Sequence, residues 1–126
     1  MSRQVGVLLF DGFELLDVFG PVELWSRLSD RYEVTFCAVE PGPVHSSQGA
    51  VVMATADMDA SAGHDIVLIP GGMGTRSLVD DRSFLTRLRG WTAPASIISA
   101  VCTGSALLAA AGVLEGYRAT SNKRAF

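Results

Sequence analysis

Cys102 is the residue of this sequence best placed to act as a nucleophile. It stands between Ile97–Val101, an apolar run that reads as a buried strand, and Thr103–Ala111, a run of small and apolar residues that reads as a tightly packed helix. A cysteine at a strand-to-helix join is presented at the carboxyl edge of a sheet, where open α/β sheets hold their ligands. It also lies beside the positive end of the following helix, which favours thiolate over thiol. The geometry parallels the strained turn that lifts the nucleophile of α/β hydrolases, although the local sequence differs. Filling a gap between strand and helix is the plainer role for such a residue.

Two further segments carry groups that a thiolate could use. Asp11, Glu14 and Asp17 follow the apolar run Val5–Phe10, on the same carboxyl side as Cys102. Asp17 sits among Leu15, Leu16, Val18 and Phe19, an apolar setting in which a carboxylate can exchange protons with the thiol or with substrate. It also precedes a helical pattern and could simply cap it. Asp11 with Gly12 reads as a turn and Glu14 as a solvated residue. The second segment is Pro70-Gly71-Gly72-Met73-Gly74, where glycines let the backbone approach a ligand. Their N–H groups suit a developing negative charge, as in an oxyanion hole. A tight strand-to-helix connection would ask for the same residues, so this reading leans on the cysteine. No Gly-Lys-Ser/Thr follows, so the segment is not a phosphate loop.

The remaining candidates point elsewhere. Cys37, inside Val34–Val39, reads as a core residue, since free cysteine is among the most buried residue types. His45 and His64 fall in polar segments and are expected to be exposed. Two histidines without a second reactive cysteine do not make a structural zinc site.

The elements that must position these groups alternate along the chain. Val5–Phe10, Val34–Val39, Ile66–Ile69 and Ile97–Val101 read as strands, with a shorter one at Val51–Ala54 that suits a hairpin. Helical patterns cover Asp17–Leu28, with Pro21 in the first turn, and Thr75–Arg89. Strands alternating with helices imply βαβ units and a mainly parallel sheet. No repeat, low-complexity tract or linker interrupts the chain, so residues 1–126 read as one domain. Arg118–Ser121 looks like the start of another strand, and the pattern then reads as a domain cut short at Phe126.

Composition narrows the class. Nearly half of the 126 residues are hydrophobic, enough for a dense core. A net charge of −3 lacks the basic stripe of a nucleic-acid surface. No run of eighteen apolar residues marks a membrane span, and Val5–Phe10 is too short for a cleavable leader. The expectation is a soluble cytoplasmic protein, with both cysteines as thiols.

Taken together these segments resemble the ThiJ/PfpI (DJ-1/PfpI) superfamily, and within it most closely the isonitrile (isocyanide) hydratases. The likeness rests on Gly6–Phe10, Leu16-Asp17 with Gly20-Pro21, Glu40–Val44, Ile69–Gly72 and Val101–Ser105, extended by Ala110–Leu114 and Arg118–Thr120. It implies a flavodoxin-like, class I glutamine amidotransferase-like three-layer sandwich. Cys102 would add to the isonitrile carbon, Asp17 would handle protons and position water, and Thr103 would help hold the site. Gly71 and Gly72, with the Thr103 amide, would form its backbone-donor side. A small-molecule substrate, a homodimer, and no metal or organic cofactor are implied as well.

This sequence departs from the superfamily's pattern in three places. Thr103 stands where protease-like and glyoxalase-like branches often carry histidine, which points away from a triad hydrolase. Asn122-Lys123 replaces a common His-Trp pair, and the superfamily's domain is longer. Two other functions share the resemblance: a ligand-sensing domain like those of AraC-type transcription regulators, and a redox protein in which Cys102 is oxidised and Asp17 stabilises the product.

Overall fold

The computed structural model describes residues 2–59, 63–116 and 118. Its frame is a five-stranded parallel sheet built from β1 (Arg3–Leu8), β2 (Tyr32–Ala38), β5 (Ala56–Asp57), β6 (Ile66–Ile69) and β7 (Ile97–Ala100). Their order is β5-β2-β1-β6-β7. The chain moves one way from β1 to β2 and the other way from β6 to β7, so right-handed crossovers put the intervening helices on opposite faces. This is the flavodoxin-like arrangement, with its topological switch point between β1 and β6. Ligand clefts form outside the carboxyl ends of strands at such a point.

Val5, Val7, Val67 and Ile69 are fully buried, because the central strands are covered on both faces. The hairpin is present: β3 (Gly42–His45) pairs antiparallel with β4 (Val51–Ala54) and stands apart from the main sheet. Gly42-Pro43 therefore opens a strand as well as ending the preceding turn. Among the described residues no helix is long and apolar enough to cross a membrane.

Several boundaries differ from the sequence reading. β1 ends at Leu8, two residues early, and Leu9 and Phe10 continue as buried irregular chain. Helix α1 covers Leu15–Ser26, so Asp17 lies inside its first turn and Glu14 holds the cap position. The helix expected over Thr75–Arg89 is two helices, α2 (Thr75–Leu78) and α3 (Arg82–Thr92). Asp81 breaks them apart: its carboxylate accepts from the Phe84 amide at 3.1 Å and caps α3. The capping preference of aspartate outweighs the continuous apolar pattern here. Helix α4 covers Gly104–Ala110.

Among the described residues β7 is an edge strand and not the buried one expected. Ile97 is 47% exposed and Ile98 37%, since among those residues only β6 pairs with it. The strand expected near Arg118–Ser121 lies, from residue 119 onward, outside the described residues, as do Asn122 and Lys123.

Candidate functional site

Three loops meet at the carboxyl ends of β1, β6 and β7. Cys102 joins β7 to α4 and is exposed, with a φ of 51°. A side chain in the left-handed region costs roughly 1–2 kcal/mol, so the surrounding structure must impose it. It does so from both sides. The Val101 amide donates to the Ile69 carbonyl at 3.0 Å, and the Gly104 amide to the Val101 carbonyl at 2.9 Å. Ser105 Oγ donates to the Cys102 carbonyl at 3.0 Å. Gly104 lies so close to the Ile69 and Pro70 carbonyls that a Cβ would collide with backbone.

The glycine pair brings the other candidates together. The Gly71 amide donates to Asp17 Oδ2 at 3.0 Å, and the Gly72 amide donates to Thr103 Oγ1 at 3.0 Å. One carboxylate from α1 and one hydroxyl from the elbow are thus docked on adjacent backbone donors. A Cβ at Gly71 would lie 2.7 Å from Thr103 Oγ1 and 3.1 Å from Asp17 Oδ2, so only glycine leaves room for both. Gly72 has a φ of +125°, and a side chain there would run into the backbone of the Gly12–Glu14 loop. As a cap, Asp17 is displaced: its oxygen serves the β6 loop instead of its own helix. The expected oxyanion donors meet the protein's own oxygens, so Gly71 and Gly72 act here as the dock for Asp17 and Thr103.

The loop from Asp11 to Glu14 is tied to this dock. Its Glu14 amide donates to the Gly71 carbonyl at 2.9 Å, and the Gly74 amide donates back to the Gly12 carbonyl at 3.0 Å. The hairpin turn holds its other side. Ser47 Oγ donates to the Gly12 carbonyl at 2.7 Å, and Gln48 Oε1 accepts from the Leu15 amide at 3.1 Å. Sequence reasoning missed Ser47 and Gln48, because a polar turn residue carries no sign of a contact 33 residues away. Asp11 is a turn residue, as expected, whose carboxylate accepts from the His45 amide at 3.0 Å.

The histidines divide. His45 is exposed beside Asp11, at 3.7 Å. His64 is not the exposed loop residue expected: its ring stacks edge-on against Trp91 and lies 3.6 Å from Cys37 Sγ. Gly6 makes the room, since a Cβ there would meet the His64 ring at 2.6 Å. Burial, reinforced by the Asp57 carboxylate, pushes the Cys37 thiol up to about 11. Burial also pulls the His64 imidazole below its ordinary range, with Asp65 acting in opposition. Cys37 is fully buried, as the sequence suggested. Among the described residues no group of three or more metal-ligating side chains occurs.

Residues 3–126 match the DJ-1/PfpI family. The chain is 36% identical over 122 residues to the isonitrile hydratase of Pseudomonas putida, covering 97% of this chain and 53% of that protein. It is 32% identical over 120 residues to the HTH-type transcriptional regulator GbdR of Pseudomonas aeruginosa, covering 91% of this chain and 32% of the regulator. The crystal structure of a ThiJ/PfpI family protein from Pseudomonas syringae superposes with a TM-score of 0.86 at 31% identity, over 96% of this chain and 50% of that one. The chain thus spans about half the length of the hydratase and of this crystallised relative. With the strand order, the left-handed cysteine and the match along residues 3–126, the conclusion is direct: this chain belongs to the DJ-1/PfpI family.

Proposed function

We propose that the protein is a cysteine-dependent hydratase that adds water to an isonitrile and yields an N-substituted formamide. The observation that carries this reading is the pairing of Asp17 and Thr103 on the Gly71–Gly72 amides, one residue from the left-handed Cys102. Asp17 and the neighbour of Cys102 on adjacent amides support a nucleophile served by a carboxylate and a hydroxyl. His64 is committed to Cys37 and Trp91, and His45 to Asp11, which favours a carboxylate over a histidine as the proton carrier.

The steps follow from these roles. The Cys102 thiolate forms a C–S bond to the terminal isonitrile carbon, and that carbon takes a proton by way of Asp17, giving a thioimidate. Water adds across the C=N bond, losing one proton to the Asp17 carboxylate while the nitrogen gains one. Asp17 hands the proton it took from water on to nitrogen; the C–S bond then breaks as the hydroxyl proton passes back to the Asp17 carboxylate, the formamide leaves, and the thiolate returns. Gly71 and Gly72 hold the carboxylate and the hydroxyl at their working positions. The reaction consumes one water and needs no redox partner.

The test is hydration of p-nitrophenyl isonitrile by the full chain. Cys102→Ala is expected to abolish turnover, and Asp17→Asn to slow it by about 10²- to 10⁴-fold, the usual weight of a positioned acid–base group. An inert wild type, or an active Cys102→Ala, refutes the assignment. The likeness to the regulator supports a second reading, a sensor whose elbow binds a ligand without turning it over. Saturable binding with no product would select it.

Exposed Leu16, Leu24, Val51 and Met53 offer an apolar surface on α1 and β4, which suits a homodimer. Sedimentation at the monomer mass would exclude that. We place the protein in the cytoplasm, where both thiols stay reduced.

A further inference from the structure

We propose that Gln48, at the tip of the β3–β4 hairpin, is a positioning residue for Asp17. The proposal rests on the proton-transfer role given to Asp17 above. Helix α1 begins without a cap of its own: the Glu14 side chain makes no capping hydrogen bond, and its amide is spent on the Gly71 carbonyl. The first helical amide, that of Leu15, is satisfied instead by Gln48 Oε1 at 3.1 Å. Asp17 is the third residue of the same turn, so whatever fixes this turn fixes the direction of its carboxylate toward Gly71.

The hairpin tip is built to hold Gln48 still. Ser46 is buried, and its Oγ accepts from the Gln48 amide at 3.2 Å and from the Ala50 amide at 3.0 Å. The Ser46 amide donates to the Ala50 carbonyl at 2.8 Å and the Gly49 amide to the Ser46 carbonyl at 3.1 Å, closing the turn around Gly49 with its φ of +85°. Next to it, the Ser47 amide donates to the Phe13 carbonyl at 2.8 Å. The tip therefore grips the loop just before α1 at two points, and Gln48 adds a third on the helix itself. An acceptor delivered from a rigid neighbouring turn replaces the usual local cap.

Two measurements test this. In isonitrile hydration, Gln48→Ala is expected to lower kcat by about tenfold with little change in KM, the scale of a lost helix cap. Gln48→Glu keeps the acceptor and is expected to restore the rate. In an Asp17→Asn background, Gln48→Ala should cost nothing further, because the two residues act as one unit.

The second measurement does not need turnover: alkylation of Cys102 by iodoacetamide as a function of pH, read by peptide mass. Cys37, buried and with its thiol pushed up to about 11, stays silent below pH 8. Gln48→Ala should change the rate of Cys102 alkylation in the same direction as Asp17→Asn and have no effect once Asp17 is gone. An unchanged alkylation profile in Gln48→Ala, or a Gln48→Glu enzyme as slow as Gln48→Ala, overturns the proposal. An inert wild type whose alkylation profile still responds to Gln48→Ala would instead remove the hydratase reading and leave the positioning role standing.

Discussion

The two cysteines lie at the ends of neighbouring structural logic. Cys102 and Cys37 both follow a run of β residues, yet one ends its strand in a left-handed turn at the protein's surface and the other stays inside it. Around Cys102 the backbone is strained and the nearby side-chain oxygens are docked on amides. Around Cys37 the neighbours are the His64 imidazole and the backbone of its own strand, and burial favours the protonated thiol. A histidine 3.6 Å from a sulfur is the arrangement of a cysteine hydrolase, but here it sits in the wrong solvent. Desolvation disfavours both charged partners of that pair, which works against a thiolate–imidazolium couple. Proximity of reactive groups is therefore a weaker guide to chemistry than the backbone and the water around them.

The comparison can be broken most sharply at its two glycines. Gly71→Ala is expected to lower the proposed hydratase activity by at least about a hundredfold while the fold persists, since its Cβ would displace both Asp17 and Thr103. Normal turnover with a folded circular dichroism spectrum would show that the dock is not needed. Gly6→Ala addresses the other cysteine. Its Cβ would lie within 2.9 Å of both His64 and Trp91, and overpacking of this kind costs about 1–3 kcal/mol. Urea unfolding measures it, and activity of the folded protein should be unaffected.

The smallest effects are titrations. Cys37 has its proton held more tightly in the folded state, so its contribution to stability is complete below pH 9.0 and is lost as pH rises from there through about 11. The melting temperature of Cys37→Ala should fall less across that window than that of the wild type. His64 behaves oppositely. Its folded value is lowered, so its contribution is present above 6.5 and is lost as pH falls through the folded value. His64→Phe should flatten this acid limb; equal slopes in variant and wild type would show that the imidazole is not the group responsible.

The elbow was legible because its signal is local. An apolar strand, Cys-Thr-Gly and a run of small residues specify one turn, and the structure puts Cys102 there with φ positive. The parallel sheet was legible for the same reason, from β-type runs separated by helical ones. What could not be read is what other segments supply. Asp17 looked like a cap because it stands near a helix start, whereas the cap comes from Gln48 on a different element. His64 looked exposed because its neighbours in sequence are polar, whereas its burial depends on a missing Cβ at Gly6. The break between α2 and α3 was available in Asp80-Asp81, but the apolar periodicity on either side hid it.

The dock on Gly71 and Gly72 has a consequence in time as well as in space. Its two hydrogen bonds join residues 54 and 31 positions apart; the first ties the loop after β6 to the helix after β1, and the second ties it to the turn after β7. Contacts of such separation close late, after local turns and hairpins have formed. A chain still assembling its sheet carries Cys102 on a short helix start but without its carboxylate and hydroxyl in place. Under the function proposed above, the reactivity of that one thiol would serve as a clock for folding, set only when the order of the central strands is complete.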